Sequence, residues 1–67
     1  MNVYINNERK EIQNQNSILE LLSDLSLNGT RGIAVAVNNI VIPKNSWEVC
    51  NLNENDRVTI IKATQGG

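Results

Sequence analysis

The chain has 67 residues, of which 40% are hydrophobic, so it forms one small core with no room for a pocket that encloses a substrate. It contains no histidine, which removes the usual acid/base side chain of neutral-pH catalysis and the Ser-His and Cys-His nucleophile pairs. Six basic residues against seven acidic ones argue against nucleic acid as a partner, because proteins that bind nucleic acid carry a basic surface.

The N-terminal segment predicts a β-hairpin. Val3-Tyr4-Ile5 alternates as a strand does, Asn6-Asn7 offers a turn, and residues 9–13 form a second short strand that carries Ile12. Asparagine occurs at twelve positions in the chain. Because asparagine tolerates left-handed backbone and favours turns, we interpret its abundance as turn chemistry.

One main helix is predicted after the hairpin. Ser17 and Glu20 fit the S-x-x-E capping box, in which the hydroxyl and the carboxylate each bind an exposed amide at the helix start. Apolar residues follow at i, i+3, i+4 and i+7, the spacing of one helix face: Ile18, Leu21, Leu22 and Leu25. The pattern predicts a helix of about ten residues that stops at Asn28-Gly29.

Beyond residue 31 the composition shifts from leucine to valine, isoleucine and alanine, which favours strands. The predicted elements are a strand at residues 32–37, a turn at Asn38-Asn39, a strand at residues 40–42 that ends at Pro43, one capped helical turn at residues 45–48, and a final strand at residues 57–63. Residues 51–56 are polar and rich in turn formers.

These elements predict an α+β fold with a mixed sheet of four to five strands, one helix on one face, and the final strand in the middle. Residues 1–63 form the predicted domain, and residues 64–67 a flexible tail. Alternation places Val3, Ile5, Val58 and Ile60 towards the helix. The opposite face, which is partly apolar, is predicted to carry Tyr4, Ala34, Ala36, Arg57, Thr59, Ile61 and Ala63.

The tail ends in Gly66-Gly67, which leaves the α-carboxylate of Gly67 on a stalk that reaches about 13 Å. Glycine lacks Cβ, so such an end enters a narrow channel and leaves its carbonyl carbon open on both faces. An ionised carboxylate is a poor electrophile, so a phosphoryl or adenylyl group from another enzyme is needed to activate it. The alternative is a loose terminus without a role, since loose termini are common.

The order of elements resembles the ubiquitin-like β-grasp. The segment VAVNNIVIP at residues 35–43, the following Trp47, the segment DRVTII at residues 56–61 and the Gly66-Gly67 end are similar to the ThiS family of sulfur carriers in thiamine biosynthesis. The similarity covers essentially the whole chain, although the first thirty residues match only in pattern. The resemblance implies that Gly67 is adenylated by a ThiF-like enzyme using ATP and Mg²⁺, becomes a thiocarboxylate and donates sulfur to thiazole synthase.

By this resemblance the chain is a protein co-substrate, not an enzyme, and binds no cofactor or metal itself. Thr64, Gln65 and Gly66 are expected to enter the partner's active site, while the partly apolar sheet face binds the partner through Tyr4, Ala34, Ala36, Thr59, Ile61 and Ala63. A persulfide protein is a possible sulfur donor, and the free carrier is expected to be a monomer. A single cysteine and the lack of a membrane span or leader predict a cytoplasmic protein without nucleic-acid or membrane partners.

Two other functions stay open from the residues. The small subunit of molybdopterin synthase has the same chemistry but is usually longer, and a β-grasp interaction module would give the tail no covalent role. Cys50 is either a sulfur-handling thiol or, as a lone cysteine among apolar neighbours favours, a small buried hydrophobe. Trp47 is either an interface anchor or, as its place beside Pro43 favours, a cover over one end of the core.

Overall fold

In the computed structural model, which describes residues 1–12, 17–27 and 32–62, one mixed sheet packs against a single α-helix. The elements are β1 (Asn2–Ile5), β2 (Glu8–Glu11), α1 (Ile18–Asp24), β3 (Ile33–Val37), β4 (Ile40–Ile42), a 3₁₀ turn (Lys44–Ser46) and β5 (Arg57–Lys62). The strand order is β2-β1-β5-β3-β4, so the predicted α+β fold with the final strand in the middle is confirmed. β5 runs parallel to β1 and antiparallel to β3.

Asparagine pairs form both hairpin turns. Asn6 and Asn7 have φ angles of 51° and 70°, and Asn38 and Asn39 have φ angles of 51° and 69°. A two-residue turn of type I′ needs positive φ at both central residues, and asparagine adopts that conformation more readily than most residues. Both predicted turns are confirmed, although β2 starts at Glu8, directly after the turn, one residue before the predicted start.

The core lies between α1 and one face of the sheet. Its buried side chains come from the three central strands, from the helix and from the segments that connect them: Val3, Ile12, Ile18, Leu21, Leu22, Val35, Trp47, Leu52 and Val58. Ile5, Val37 and Ile60 pack against this cluster as half-buried residues. The predicted inward direction of the alternating positions is therefore confirmed, and the helix covers one face of the sheet only.

The start of α1 is as predicted, but its end is not. The Ser17 hydroxyl accepts a bond from the Glu20 amide at 3.1 Å, and the Glu20 carboxylate accepts one from the Ser17 amide at 3.0 Å, which confirms the capping box. The predicted stop at Asn28-Gly29 is wrong, because α1 ends at Asp24 with Leu25 as its C-cap.

A Schellman motif ends the helix early. Ser26 takes a left-handed φ of 61°, its amide binds the Ser23 carbonyl at 3.0 Å, and the Leu27 amide binds the Leu22 carbonyl at 2.7 Å. Leu27 packs against the core as a half-buried residue. Burial of Leu27 offsets the energetic cost of the left-handed backbone at Ser26. The helical spacing of the leucines does not predict this early end of the helix.

Trp47 covers one end of the core, as we interpreted from its position. Its side chain is 7% exposed, and the indole Nε1 donates to the Ile42 carbonyl at 3.0 Å. The helical turn before it differs from the prediction, because it spans Lys44–Ser46, starts directly after Pro43 and has no side-chain cap. Cys50 is half-buried and packs against the core, in agreement with the interpretation as a small hydrophobe.

The capping box yields a stability prediction. Replacing Ser17 with alanine removes the acceptor for the Glu20 amide at a site that is 5% exposed, so we expect a loss of about 1 kcal/mol in the free energy of unfolding. Ser23→Ala, at an exposed position of the same helix, is the matched control and should change stability by less than about 0.5 kcal/mol. Urea denaturation measures both; equal stabilities of the two variants would contradict the role of the cap.

Candidate functional site

The sheet face turned away from α1, called the outer face from here on, is free of any other described element. Strand register brings its residues together, since Ala34 lies beside Ile61, Ala36 beside Thr59, and Tyr4 beside Arg57. All of the predicted partner-binding residues within the described ranges therefore share this face: Tyr4, Ala34, Ala36, Thr59 and Ile61. Ala63, the remaining member, lies outside the described residues.

One half of the outer face is apolar. Ile61 is 60% exposed beside Ala34, and Val41 is 72% exposed beside Ala36 across the β3–β4 hairpin. We call Ala34, Ala36, Val41 and Ile61 the apolar patch. Val41 was not among the predicted residues, although the two-residue turn at Asn38-Asn39 sets a register that pairs it with Ala36. Exposed apolar groups that lie together mark an interaction surface more often than isolated ones do.

The other half of the outer face is aromatic and basic. The Arg57 guanidinium carbon lies 5.2 Å from the centroid of the Tyr4 ring, within the range of a cation–π contact. Arg9 on β2 is directly opposite Tyr4 on its other side. Lys62, the last residue of β5, pairs with Ile33 and so lies on the helix side of the sheet.

Two asparagine side chains tie the ends of β5 to the neighbouring turns. The Asn6 carboxamide accepts from the Ile60 amide at 2.9 Å and donates to the Ile60 carbonyl at 3.2 Å, as another strand residue would. At the opposite end of β5, the Asn38 carboxamide accepts from the Arg57 amide at 3.0 Å. The Asn38 backbone amide also donates to the Arg57 carbonyl, at 2.7 Å.

The Asn6 contact is made two residues before Lys62, the last residue of β5. It fixes the backbone of β5 near Lys62. Our interpretation of the asparagines as turn formers missed this second use. The available signal was weak: an asparagine stands at the first position of each of the two hairpin turns.

The predicted reacting end and the residues that lead to it, Thr64, Gln65, Gly66 and Gly67, lie outside the described residues. An open groove of about 340 Å³ lies between the β1–β2 hairpin and the end of α1, lined by Ile5, Asn6, Glu8, Arg9, Lys10 and Leu25. In the described part of the chain, no three histidine, cysteine or acidic side chains lie together as a metal site would need. Within those same ranges, no helix is long and apolar enough to cross a membrane.

Comparison with known proteins agrees with this geometry. The model of the ThiS family matches residues 3–67. The chain belongs to the ThiS family. It is similar to the crystal structure of a thiamine biosynthesis protein (ThiS) from Geobacter metallireducens, with a TM-score of 0.86, 22% identity and 100% of both chains covered. An NMR structure of a thiamine biosynthesis protein from Geobacter metallireducens gives a TM-score of 0.81 at 22% identity, with 100% of this chain and 88% of that chain covered.

No curated protein matches the chain. The structural likeness shows the fold, a ubiquitin-like β-grasp with a mixed five-stranded sheet and one helix, as predicted. Membership of the ThiS family identifies the chain as a ThiS-like sulfur carrier of thiamine biosynthesis. The described residues thus provide a scaffold with an open sheet face and a final strand that is held between two others.

The hydrogen bonds from Asn6 to Ile60 predict that substitutions at two adjacent turn residues differ in their effect on stability. Asn6→Gly keeps a residue that accepts positive φ but removes both hydrogen bonds to Ile60. We therefore expect the free energy of unfolding to fall by about 1 kcal/mol. Asn7→Gly is the matched control, with a similar φ of 70°, and should change stability by less than about 0.5 kcal/mol. Urea denaturation and hydrogen exchange at the Ile60 amide measure the effect; exchange that is equally fast in both variants would argue against the tie.

Proposed function

We propose that the chain carries sulfur as a thiocarboxylate on Gly67 and delivers it to thiazole synthase for the thiazole ring of thiamine. The observation that carries the proposal is the place of β5, which is paired on both sides and held at Ile60 by Asn6. A central strand of this kind gives the segment that follows it a fixed origin. The family match favours thiazole synthase over molybdopterin synthase as the acceptor.

In the first step, a carboxylate oxygen of Gly67 attacks the α-phosphorus of ATP on the adenylating enzyme, and pyrophosphate leaves. The acyl adenylate has an electrophilic carbonyl carbon, which the terminal sulfur of a partner's persulfide attacks while AMP leaves. A thiol then attacks the partner's sulfur of the resulting acyl disulfide, which releases the thiocarboxylate and leaves a disulfide on the partner side. The carbonyl carbon has no side chain beside it, because glycine lacks Cβ.

Other proteins supply the remaining chemistry in this scheme. A ThiF-like enzyme binds ATP and Mg²⁺, a persulfide protein supplies the sulfur, and thiazole synthase accepts it. Thr64, Gln65 and Gly66 lead Gly67 into each partner's active site in turn. The outer face binds the partner, with Tyr4, Ala34, Ala36, Thr59, Ile61 and Ala63 as its proposed contact residues. One reacting end that visits several partners needs contacts that form and dissociate readily.

A change at the reacting end tests the proposal. Deleting Gly67, or adding one alanine after it, should abolish thiocarboxylate formation with ATP, a ThiF-like enzyme and a persulfide donor, because the carboxylate no longer lies where the enzyme activates it. Intact-mass spectrometry detects the exchange of one oxygen for sulfur. Glu48→Ala, at an exposed position outside the sheet and the tail, is the control and should still be converted. Conversion of the extended chain would contradict the role of the Gly67 carboxylate, and failure of the unchanged chain to be converted would favour an interaction module whose tail has no covalent role.

Substitutions at two exposed apolar residues test whether the outer face binds the adenylating enzyme. Ile61→Asp places a charge in the apolar patch, so we expect the KM for the carrier in ATP–pyrophosphate exchange to rise about tenfold or more. Val49→Asp is the matched control, since Val49 is 76% exposed and lies outside the sheet, and its KM should stay near that of the unchanged chain. Thermal unfolding confirms that both variants are folded. Equal KM values for the two variants would show that the outer face does not contact the partner at Ile61.

A further inference from the structure

Three side chains form a row across three adjacent strands of the outer face. Tyr4 on β1 pairs with Arg9 on β2 and with Arg57 on β5, so the tyrosine lies between two arginines at the same level of the sheet. We call Arg9, Tyr4 and Arg57 the arginine row. Neighbouring strands are about 4.8 Å apart, so the two arginines leave the sheet about 10 Å from each other.

The positive charge of this row is not neutralised by the described part of the chain. No salt bridge joins Arg9 or Arg57 to a carboxylate within the described ranges. The two acidic residues just before β5 serve the loop: Asp56 accepts from the Asn53 amide and the Asn38 carboxamide, and Glu54 accepts from the Asn2 amide. A chain with a net charge of −1 therefore presents two arginines on the outer face, one on each side of Tyr4.

The contact with Tyr4 orients one of these charges. The guanidinium carbon of Arg57 lies over the ring at 5.2 Å from its centroid, and a guanidinium that contacts a ring face keeps N–H donors for a carboxylate. An arginine held in this way loses less freedom when it binds a carboxylate in bidentate fashion than a lysine on a flexible stem does. Arg9 lies on the edge strand and also borders the open groove on the helix side, so Arg57 is the better fixed of the two.

We propose that the arginine row binds an acidic segment of the adenylating partner, which carries carboxylates spaced to meet Arg9 and Arg57. This inference rests on the proposed function and adds the chemistry of the partner's surface. The apolar patch on β5, β3 and β4 gives contact area but little orientation, because apolar contacts are not directional. Charges at the other half of the same face fix which way the carrier lies on its partner and speed the encounter.

The experiment measures the KM for the carrier in ATP–pyrophosphate exchange by a ThiF-like enzyme encoded in the same genome. We expect Arg57→Glu and Arg9→Glu each to raise the KM about tenfold, with kcat nearly unchanged. The new glutamate would repel the carboxylates of the partner's acidic segment. Lys10→Glu is the matched control: it makes the same change of charge on the same strand, beside Val3 and thus on the other face. Its KM should stay within about twofold of the unchanged chain.

Added salt distinguishes an electrostatic from a steric cause of the change in KM. The difference in KM between the unchanged chain and Arg57→Glu should shrink as sodium chloride rises, because salt screens exposed charges. Arg57→Lys, which keeps the charge but not the planar N–H fork, should recover only part of the lost affinity. Thermal unfolding of each variant shows that the fold is retained.

The outcomes distinguish this inference from the function on which it rests. If the unchanged chain is not adenylated, both fall. If it is adenylated but both arginine variants have the KM of Lys10→Glu, the arginine row is not part of the interface, while the sulfur-carrier proposal stands.

Discussion

The pairing of β5 between β1 and β3 is the contact on which the other features depend. It brings the first and last strands side by side in parallel, places Val58 in the core and sets the level at which Arg57 meets Tyr4. Hydrogen bonds from Asn6 and Asn38 extend this pairing past the ends of the neighbouring strands. The geometry of the outer face and of the arginine row therefore depends on this one strand.

The two faces of the sheet divide the work of a small protein. One helix is enough to bury the apolar side chains of the inner face, and Ile18, Leu21 and Leu22 fill that space. None of the other described elements covers the outer face, and it carries small residues such as Ala34 and Ala36. A partly apolar face suits temporary contact with a larger protein, and its larger apolar members, Val41 and Ile61, are exposed in the free chain.

The sequence predicted the features that depend on local pattern. Alternation identified which side chains of β1, β3 and β5 face inward, and the Ser17 and Glu20 spacing located the start of the helix. It did not predict the end of the helix, because a left-handed backbone at Ser26 is stabilised by packing of Leu27, which is a tertiary effect. The tie from Asn6 to Ile60 spans 54 positions and depends on strand register, which local pattern does not show.

The distance along the chain between β1 and β5 also determines how the protein acquires its structure. A helix of seven residues is marginal by itself in water, and so is an isolated hairpin such as β1–β2 or β3–β4. None of these pieces has a lasting partner until β5 enters between the two hairpins and closes a loop of about fifty residues. Folding is therefore expected to be all-or-none. A partner that recognises β5 in its paired position thereby distinguishes a completed carrier from an unfinished or damaged one.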